Sequence, residues 1–502
     1  MPTATIQSEW ARSSLVDGLP IVVRLDPAPD PVDVFRRMAT LPNVVFFDSS
    51  MRHPQLGRYS FVAADPVDWI QSPADGSDAL SFLQHRTLTL RADARRDLPP
   101  FQGGWAGLFG YELARSLEAI PPAACDEFKA PALAVGLYDV VVAFDHQEQA
   151  AWIVSQGFPQ QEPAARRERA AMRLRQFQAL LRRGGEGETR RGGDTDRIRI
   201  PSESPPLPLS PSPCISLPAE SLAPRFDIPR GPDLTSNFSA DAYRQMVRRA
   251  IEYIRAGDVF QVNLAQRLLH PATAPSVDLY CRLRQHSPAP FAAYFDAGDW
   301  QIASASPERF LRVHNGHVET RPIKGTRPRA ALPAADQLAA DELVQSGKDR
   351  AENIMIVDLL RNDLSRSCRP DSVRVSQLCG LESYASVHHL VSVVEGDLRR
   401  DYTPLELLRT CFPGGSVTGA PKIRAMEIIA ELEPTARGAY CGALGYLGAD
   451  GQMDMSVLIR TITAARGWWQ LPVGGGIVAQ SDPDEEYAET WHKAESLLRA
   501  IG

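Results

Sequence analysis

The most informative stretch of the chain lies at residues 322–326, which read Pro-Ile-Lys-Gly-Thr. Lys324 has an arginine on each side, Arg321 and Arg327, and Arg329 follows two positions later. A lysine that attacks carbon must first lose its proton, and nearby cations favour the neutral amine. We therefore expect the arginines to lower the pKa of Lys324. On the residues alone Lys324 is one candidate nucleophile, because most lysines are solvated surface charges.

Size and composition restrict the class of protein. The chain has 502 residues, of which 44% are hydrophobic and 23% charged, so a large folded core is expected. The net charge of −7 and the lack of a basic run argue against a nucleic-acid partner. Seven scattered cysteines form no Cys-x-x-Cys pair, which is typical of reduced thiols. Without an apolar run of about 18 residues or an apolar leader, we expect no membrane span and a cytoplasmic location.

Composition divides the chain into three regions: residues 1–185, a Pro- and Gly-rich linker or insertion at 186–235, and residues 236–502. The third region opens with a predicted helix that Ser239 caps and Gly257 ends. Strand-like and helix-like runs then follow in mixed order, which favours the α+β class over a regular βαβ repeat.

Two acidic pairs have helical spacing. Asp349 and Glu352 are three residues apart, and so are Glu486 and Glu489, with Lys493 four residues further on. Each pair could simply form a solvated acidic face. Two such pairs on separate helices could also converge on a hard cation such as Mg²⁺, which prefers oxygen ligands.

Several groups are suited to binding an anion. Residues 414–422 nearly form a phosphate loop, but Ala-Pro stands where the motif needs Gly-Lys, so a nucleotide site is disfavoured. The glycines there expose backbone N–H groups and Thr418 adds a hydroxyl. Gly474-Gly475-Gly476 offers either a second N–H nest or a tight turn between strands. Arg460, in a strand-like apolar run, is expected either in a structural ion pair or as a carboxylate clamp.

These motifs together resemble the chorismate-utilising enzymes, a family that includes anthranilate, aminodeoxychorismate, isochorismate and salicylate synthases. The resemblance is dense from residue 239 to residue 502. Pro-Ile-Lys-Gly-Thr is similar to the form found in aminodeoxychorismate synthase component I, where anthranilate synthases usually have Pro-Ile-Ala-Gly-Thr. The resemblance implies a large α+β fold of layered antiparallel sheets with helices outside.

The resemblance also implies roles for individual residues. Lys324 would attack chorismate while Glu308 protonates the departing C4 hydroxyl, and both acidic pairs would hold Mg²⁺, Asp349 directly or through water. The substrate would contact Arg460, Tyr440, Thr418, Lys493 and the glycines at 474–476. His389 and Gln261 would be further catalytic residues. The product would be 4-amino-4-deoxychorismate, and the ammonia would come from a separate glutamine amidotransferase subunit, because the chain has no Gly-x-Cys-x-Gly elbow of its own.

Two further positions help to choose among members of the family. Hydroxylating relatives have a lysine where this chain has Gln261, and an amide lacks the basicity to activate water, which disfavours isochorismate and salicylate synthesis. Ser49 and Arg58 occupy the segments that form an effector site in anthranilate synthases, although the flanking residues differ. The alternatives are anthranilate synthase component I and, in another class, a non-catalytic chorismate- or tryptophan-binding regulator.

Overall fold

The structure is a computed structural model that describes residues 19–51, 56–88, 90, 92, 94–182, 216–228, 231, 233–384 and 387–502. Within these residues two large antiparallel sheets stack on each other, and helices cover the outer faces. The predicted α+β class with layered antiparallel sheets and outer helices is confirmed. No helix in the described ranges is long and apolar enough to cross a membrane.

The strands of the described residues are short to medium in length and are numbered here in chain order. They are β1 (Ile21–Leu25), β2 (Val45–Asp48), β3 (Tyr59–Ala63), β4 (Asp68–Ser72), β5 (Gly104–Phe109), β6 (Leu133–Tyr138), β7 (Val140–Asp145), β8 (Ala150–Ser155), β9 (Phe226–Asp227), β10 (Thr235–Ser236), β11 (Gln261–Pro271), β12 (Phe291–Asp296), β13 (Trp300–Ser306), β14 (Arg309–His314), β15 (His317–Arg321), β16 (Ile323–Pro328), β17 (Arg374–Ser383), β18 (Val387–Asp397), β19 (Gly419–Ala420), β20 (Ala443–Gly448), β21 (Met453–Val457), β22 (Thr461–Ala465) and β23 (Trp468–Ile477).

The α-helices of the described residues lie mostly on the outside of the sheets. They are α1 (Pro31–Met38), α2 (Ala79–Leu88), α3 (Pro163–Arg182), α4 (Ala240–Ala256), α5 (Ser276–His286), α6 (Pro333–Gln345), α7 (Gly347–Ser365), α8 (Pro404–Cys411), α9 (Lys422–Leu432) and α10 (Pro483–Ile501).

The first sheet has the strand order β1-β8-β7-β3-β2-β12-β13-β22-β23-β11-β10-β9, with β19 paired to β11. The second has the order β16-β18-β15-β14-β21-β20-β5-β6-β4, with β17 paired to β18. One apolar cluster, which includes Phe61, Phe101 and Tyr446, fills the space between the sheets. Two others pack the helices against the outer faces and against β11.

Two predicted helices form for local reasons. Ser239 caps α4 by accepting a hydrogen bond from the Ala242 N–H, and Gly257 ends it with a left-handed φ of 87°. Asp482 caps α10 in the same way, and Pro483 takes the first helical position. These caps and the helical spacing of the apolar residues are sequence-local, which is why both helices could be predicted.

Strands from the start and the end of the chain share both sheets. β2 pairs with β12 in the first sheet, and β5 pairs with β20 in the second. The division into residues 1–185, 186–235 and 236–502 stays a prediction, and much of the predicted linker lies outside the described residues. The two pairings bring the elements of the site, which come from β11 to α10, onto one continuous framework.

Candidate active site

Lys324 is the second residue of β16 and is half-buried. Within the described residues its Nζ makes no hydrogen bond or ion pair. Burial lowers the pKa of Lys324, and the positive charge of Lys493 adds to the effect, while Glu352, Glu308 and Glu489 oppose it. The amine is therefore held closer to its neutral, nucleophilic form than a surface lysine.

The flanking arginines do not supply this shift, which corrects the expectation drawn from the sequence. Each of them is paired with a carboxylate from another element of the structure. The pairs are Arg321 with Glu382 at 2.5 Å, Arg327 with Asp349 at 3.2 Å, and Arg329 with Asp336 at 2.7 Å. These carboxylates neutralise the arginine charges. The pKa of Lys324 is lowered by burial and by the charge of Lys493 instead.

Glu308 lies just before β14 and is 4% exposed. Burial raises the pKa of its carboxyl to about 7, although a hydrogen bond from Ser416 and the charge of Lys324 both favour the ionised form. The Ser416 hydroxyl donates to Glu308 Oε1 at 2.6 Å. A carboxyl of this pKa can carry a proton at neutral pH and give it up in a reaction. Sequence reasoning found Glu308 but missed Ser416, although the serine lies in the glycine-rich stretch at 414–422.

Gln261, the first residue of β11, is fully buried, and neither its Oε1 nor its Nε2 has a hydrogen-bond partner among the described residues. Gly476 of β23 brings it close to the lysine. A Cβ added at Gly476 would lie 2.4 Å from Gln261 Nε2 and 3.4 Å from Lys324 Nζ. A buried amide with both ends unsatisfied is costly unless a ligand completes its hydrogen bonds. Gln261 is thus suited to meet a polar substrate beside the lysine.

The first acidic pair lies in the first two turns of α7. Burial raises the pKa of Glu352, an effect that Lys324 and Lys348 oppose and that the neighbouring acids Asp349 and Glu489 reinforce. Asp349 is bound to Arg327 and packs against Gly325, whose added Cβ would lie 3.0 Å from its Cβ. Glu352 therefore faces the lysine, while the Asp349 carboxylate is already occupied by an arginine.

The second acidic pair lies on one face of α10, as its spacing predicts. Ser481 donates a 2.6 Å hydrogen bond to Glu486, whose pKa burial raises. Burial alone would raise the pKa of Glu489 too, but Lys493, 2.6 Å away, holds it below its usual value. An added Cβ at Gly475 would meet Glu486 Oε2 at 3.2 Å, so the glycine allows the acids to approach the sheet.

The run Gly474-Gly475-Gly476 is neither a turn nor a nest of free N–H groups. It lies inside β23 and pairs with β11 across Ala265, Leu264 and Asn263. Side chains are absent there because the strand is approached by Gln261 and Lys324 on one face and by α10 on the other. This close approach is the physical reason for the glycines, and the expected contact of residues 474–476 with substrate stays a prediction.

Arg460 was expected in a strand, and this expectation is wrong. It lies in the bend between β21 and β22, where its φ is 53°. Its Nη1 donates to the Lys493 carbonyl at 3.0 Å, and within the described part of the chain it pairs with no carboxylate. Burial lowers the pKa of Arg460, with opposing charge from Tyr440 and Glu489. A buried guanidinium without an acidic partner is suited to clamp an incoming carboxylate, which favours this alternative over the structural ion pair.

His389 lies in β18 beside the lysine strand. Thr326 Oγ1 is 2.9 Å from its Nδ1, and the ring of Tyr384 meets it edge-on with centroids 5.3 Å apart. Burial lowers the pKa of His389 to about 4, so the imidazole is neutral at pH 7 and can act as a hydrogen-bond donor or acceptor. Its contact to Thr326 links it to the Pro-Ile-Lys-Gly-Thr motif.

The glycine-rich stretch 414–422 forms a short turn, then β19, then the start of α9. Thr418 is fully buried, and its hydroxyl donates to the Gly414 carbonyl at 3.0 Å. Lys422, which stands near the position of a phosphate-loop lysine, pairs with Asp363 at 2.6 Å. The lysine is therefore engaged in an ion pair, in agreement with the rejection of a nucleotide site.

Ser49 and Arg58 line a separate cavity of about 270 Å³ between the two sheets. Arg58 pairs with Asp145 at 2.7 Å, and Ser49 Oγ donates to the Tyr59 carbonyl at 2.6 Å. Of the two phenylalanines before them, Phe46 packs in the core while Phe47 lines the cavity. The proximity of Ser49 and Arg58 is as expected, and their role in binding an effector stays a prediction.

The acidic pairs have the donor chemistry of Mg²⁺ ligands. Within the described residues no three His, Cys, Asp or Glu side chains are already grouped to hold a metal ion. Glu352, Glu486 and Glu489 are nevertheless carboxylates whose charges act on one another next to Gly475 and Lys324. Their oxygen donors fit a cation that shares its shell with water and substrate.

Comparison with known proteins identifies the family of the chain. A family model described as chorismate binding enzyme matches residues 46–499. Anthranilate synthase component 1 of Thermus thermophilus is 38% identical over 481 residues, covering 94% of this chain and 95% of that protein. Aminodeoxychorismate synthase component 1 of Salmonella typhimurium is 36% identical over 497 residues, covering 96% and 98%. The crystal structure of anthranilate synthase component I from Streptococcus pneumoniae TIGR4 has a TM-score of 0.70 at 30% identity, covering 89% of this chain and 93% of that one.

The chain belongs to the chorismate-binding enzyme family. The resemblance seen in the sequence is confirmed, and the protein is a chorismate-utilising enzyme. Its relatives include both aminating branches of the family at nearly equal identity. Overall similarity therefore does not separate the branches, and the choice between them depends on the residues of the site.

Proposed function

We propose that the protein is the chorismate-aminating component of an aminodeoxychorismate synthase, which converts chorismate and ammonia to 4-amino-4-deoxychorismate. The observation that carries the proposal is the state of Lys324. The residue is half-buried, its pKa is lowered, and its amine makes no hydrogen bond or ion pair within the described residues. A binding protein has no use for such a group, whereas covalent catalysis needs it.

In the first half of the reaction the Lys324 amine forms a bond to ring carbon C2. Both ring double bonds shift and the C4–O bond breaks. Glu308, protonated because burial raises its pKa to about 7, gives its proton to the departing oxygen, which leaves as water. The lowered pKa of the lysine and the raised pKa of the acid make the reactive forms of both available in one pH range.

In the second half ammonia forms a bond to C4, both double bonds shift back and the C2–N bond to Lys324 breaks. The proton lost by the new amine restores Glu308 to its acid form. Gln261 would contact the substrate beside the lysine, since both ends of its amide are otherwise unsatisfied within the described residues. An amide cannot deprotonate water, which disfavours water as the nucleophile and is consistent with amination by ammonia.

Two sets of residues would bind the two carboxylates of chorismate. Arg460 and Tyr440 would hold the enolpyruvyl carboxylate, because the guanidinium is buried and meets no acidic partner in the described ranges. Glu352, Glu486 and Glu489 would hold Mg²⁺. When bound, Mg²⁺ would neutralise the ring carboxylate and polarise that end of the substrate.

Ammonia would come from a separate glutamine amidotransferase subunit. The relatives are named as component 1 of their synthases, and this chain lacks a Gly-x-Cys-x-Gly elbow. Ammonium salts should support the same reaction without the partner. This offers a direct assay of the chain by itself.

The test is identification of the product by mass spectrometry and NMR after incubation with chorismate, Mg²⁺ and an ammonium salt. We expect a product that keeps the enolpyruvyl group and carries nitrogen at C4. Lys324→Ala should abolish amination, whereas Lys129→Ala, which removes a lysine next to a turn distant in sequence, should not. Unchanged turnover in Lys324→Ala would exclude the covalent mechanism.

Anthranilate synthase component I is the second candidate. It is favoured by the 38% identity to the Thermus thermophilus protein. That enzyme class releases pyruvate and forms anthranilate, so the same product analysis separates the two functions. Lys324, with its lowered pKa, is the observation that weighs against it, since ammonia is the only nucleophile that the anthranilate reaction needs.

A further inference from the structure

Ser416 is the group that fixes the position of the Glu308 carboxyl. It lies in the one-turn helix Gly415–Val417 and is 8% exposed. Its hydroxyl donates to Glu308 Oε1 at 2.6 Å, a short bond typical of a charge-assisted contact. The described residues give no hydrogen bond to Oε2.

The backbone of Glu308 is held independently of Ser416. Its N–H donates to Ser306 Oγ at 3.2 Å, and its carbonyl accepts from the Val457 N–H at 3.1 Å. The main chain is therefore fixed by β13 and by the end of β21. What Ser416 adds is the orientation of the carboxyl group about its own side-chain bonds.

The turn that carries Ser416 is itself fixed by the helix that carries Glu352. An added Cβ at Gly415 would lie 2.5 Å from Leu359 Cδ2 of α7, so the turn packs directly against this helix. The Thr418 hydroxyl donates to the Gly414 carbonyl and so joins the two ends of the turn. The serine hydroxyl therefore has a defined place relative to both the acid and α7.

We propose that Ser416 is a positioning residue for the proton transfer: it occupies Oε1 of Glu308 so that the transferable proton stays on Oε2. The inference rests on the proposed function and deepens it. Oε1 accepts the serine hydrogen bond both before and after Glu308 gives up its proton, because it is the carbonyl oxygen of the acid and one oxygen of the carboxylate. Ser416 thus does not need to turn during the reaction, which keeps the acid oriented throughout.

Few charged or titratable groups act on this acid. Lys324 and Ser416 both favour its ionised form, against the dominant effect of burial. Cys441 lies near enough for the Glu308 charge to act on it, but burial raises the pKa of the thiol to about 12, so it stays neutral. Removing the Ser416 hydroxyl should therefore move the pKa of Glu308 upward.

This predicts a distinctive pair of changes in Ser416→Ala. The maximal rate with ammonium salt should fall about tenfold, a part of the 10²–10⁴ that general acid catalysis contributes, because the acid loses its orientation. The fall in rate on the alkaline side should move to higher pH, because Glu308 keeps its proton longer. A merely structural defect would lower the rate without changing the pH at which the rate falls on the alkaline side.

The experiment measures kcat against pH with free NH₃ held constant at every pH. Ser416→Thr keeps a hydroxyl and should recover most of the rate and the original pH at which it falls. Ser304→Ala removes a buried hydroxyl of β13 that bonds Thr461 instead of Glu308, and should leave the pH profile unchanged. A wild-type profile in Ser416→Ala, or the same shift in Ser304→Ala, would overturn the proposal.

A second measurement does not depend on turnover. The infrared band of the protonated Glu308 carboxyl, assigned by its loss in Glu308→Gln, should persist to higher pH in Ser416→Ala than in the wild type. An unshifted band would count against the assignment even if the variant were inactive. The product formed by the wild type tests the proposed function separately, so the two ideas can fail independently.

Discussion

Gly476→Ala tests the geometry of the site by adding one methyl group to it. Gly476 lies in β23 outside the left-handed region, so alanine suits its backbone. The new Cβ would lie 2.4 Å from Gln261 Nε2, about 1 Å inside the 3.4 Å at which ordinary contact begins. Because Gln261 is fully buried, the amide can yield only by moving toward its neighbours, which include Lys324.

A misplacement of about 1 Å at reacting groups can cost about 100-fold in rate. That equals about 2.7 kcal/mol of activation free energy, taking 1.36 kcal/mol for each factor of ten. Overpacking should also cost about 1–3 kcal/mol of stability, so the fold should persist. We therefore expect kcat for ammonium-dependent amination to fall about 100-fold in Gly476→Ala, with a moderate loss in thermal unfolding temperature.

Two matched variants make the result interpretable. Gly475→Ala, on the other face of the strand, comes no closer than 3.2 Å to Glu486 and should lose less activity. Gly231→Ala meets nothing closer than Leu234 Cβ at 3.9 Å among the described residues and should behave as the wild type. If Gly476→Ala is folded and retains full activity, Gln261 and Lys324 are not placed at the reacting groups and the reasoning is refuted.

Three further outcomes are expected. Because Glu308 must be protonated to act and burial raises its pKa to about 7, kcat at constant NH₃ should fall as the pH rises above 7, and a profile flat from pH 7 to pH 9 would contradict its role. Glu489→Gln should weaken the affinity for Mg²⁺, measured by calorimetric titration, by at least tenfold, since loss of even an outer-shell partner costs roughly that much. An affinity equal to that of the wild type would exclude Glu489 as a ligand. Arg173→Met should lower the free energy of unfolding by about 3–5 kcal/mol, because it leaves the fully buried Asp139 without its 3.1 Å partner. As a control, Arg249→Met, which breaks an exposed ion pair, should change the free energy of unfolding by less than about 1 kcal/mol.

The features that could be predicted from the sequence are either local or carried by a motif. The helices α4 and α10 follow from a cap, a stop and an apolar spacing, all within about 20 residues. Glu308 and Lys324 could be selected because they stand in recognisable motifs. The ion pair of Glu489 with Lys493 follows from a spacing of four on a helix.

The features that could not be predicted depend on contacts between distant segments. The arginines around Lys324 are close to it in sequence, but Arg321 is neutralised by Glu382, 61 residues away. The run at 474–476 has the composition of a turn or a nest, and the approach of α10 and of Gln261 that requires its glycines is a tertiary contact. Ser416 escapes sequence reasoning because a serine in a glycine-rich stretch gives no sign of the acid it binds, 108 residues away.

The pairing of β2 with β12 and of β5 with β20 has a consequence for how the chain can be divided. Each half supplies strands whose edges are left open without the other half. If residues 1–182 and 216–502 were expressed as separate polypeptides, each would expose a row of unpaired backbone groups suited to the other. Co-expressed fragments could reassemble along these two seams, while either fragment alone would be prone to aggregate. We therefore expect the chain to fold as one unit, and residues 216–502 not to fold by themselves.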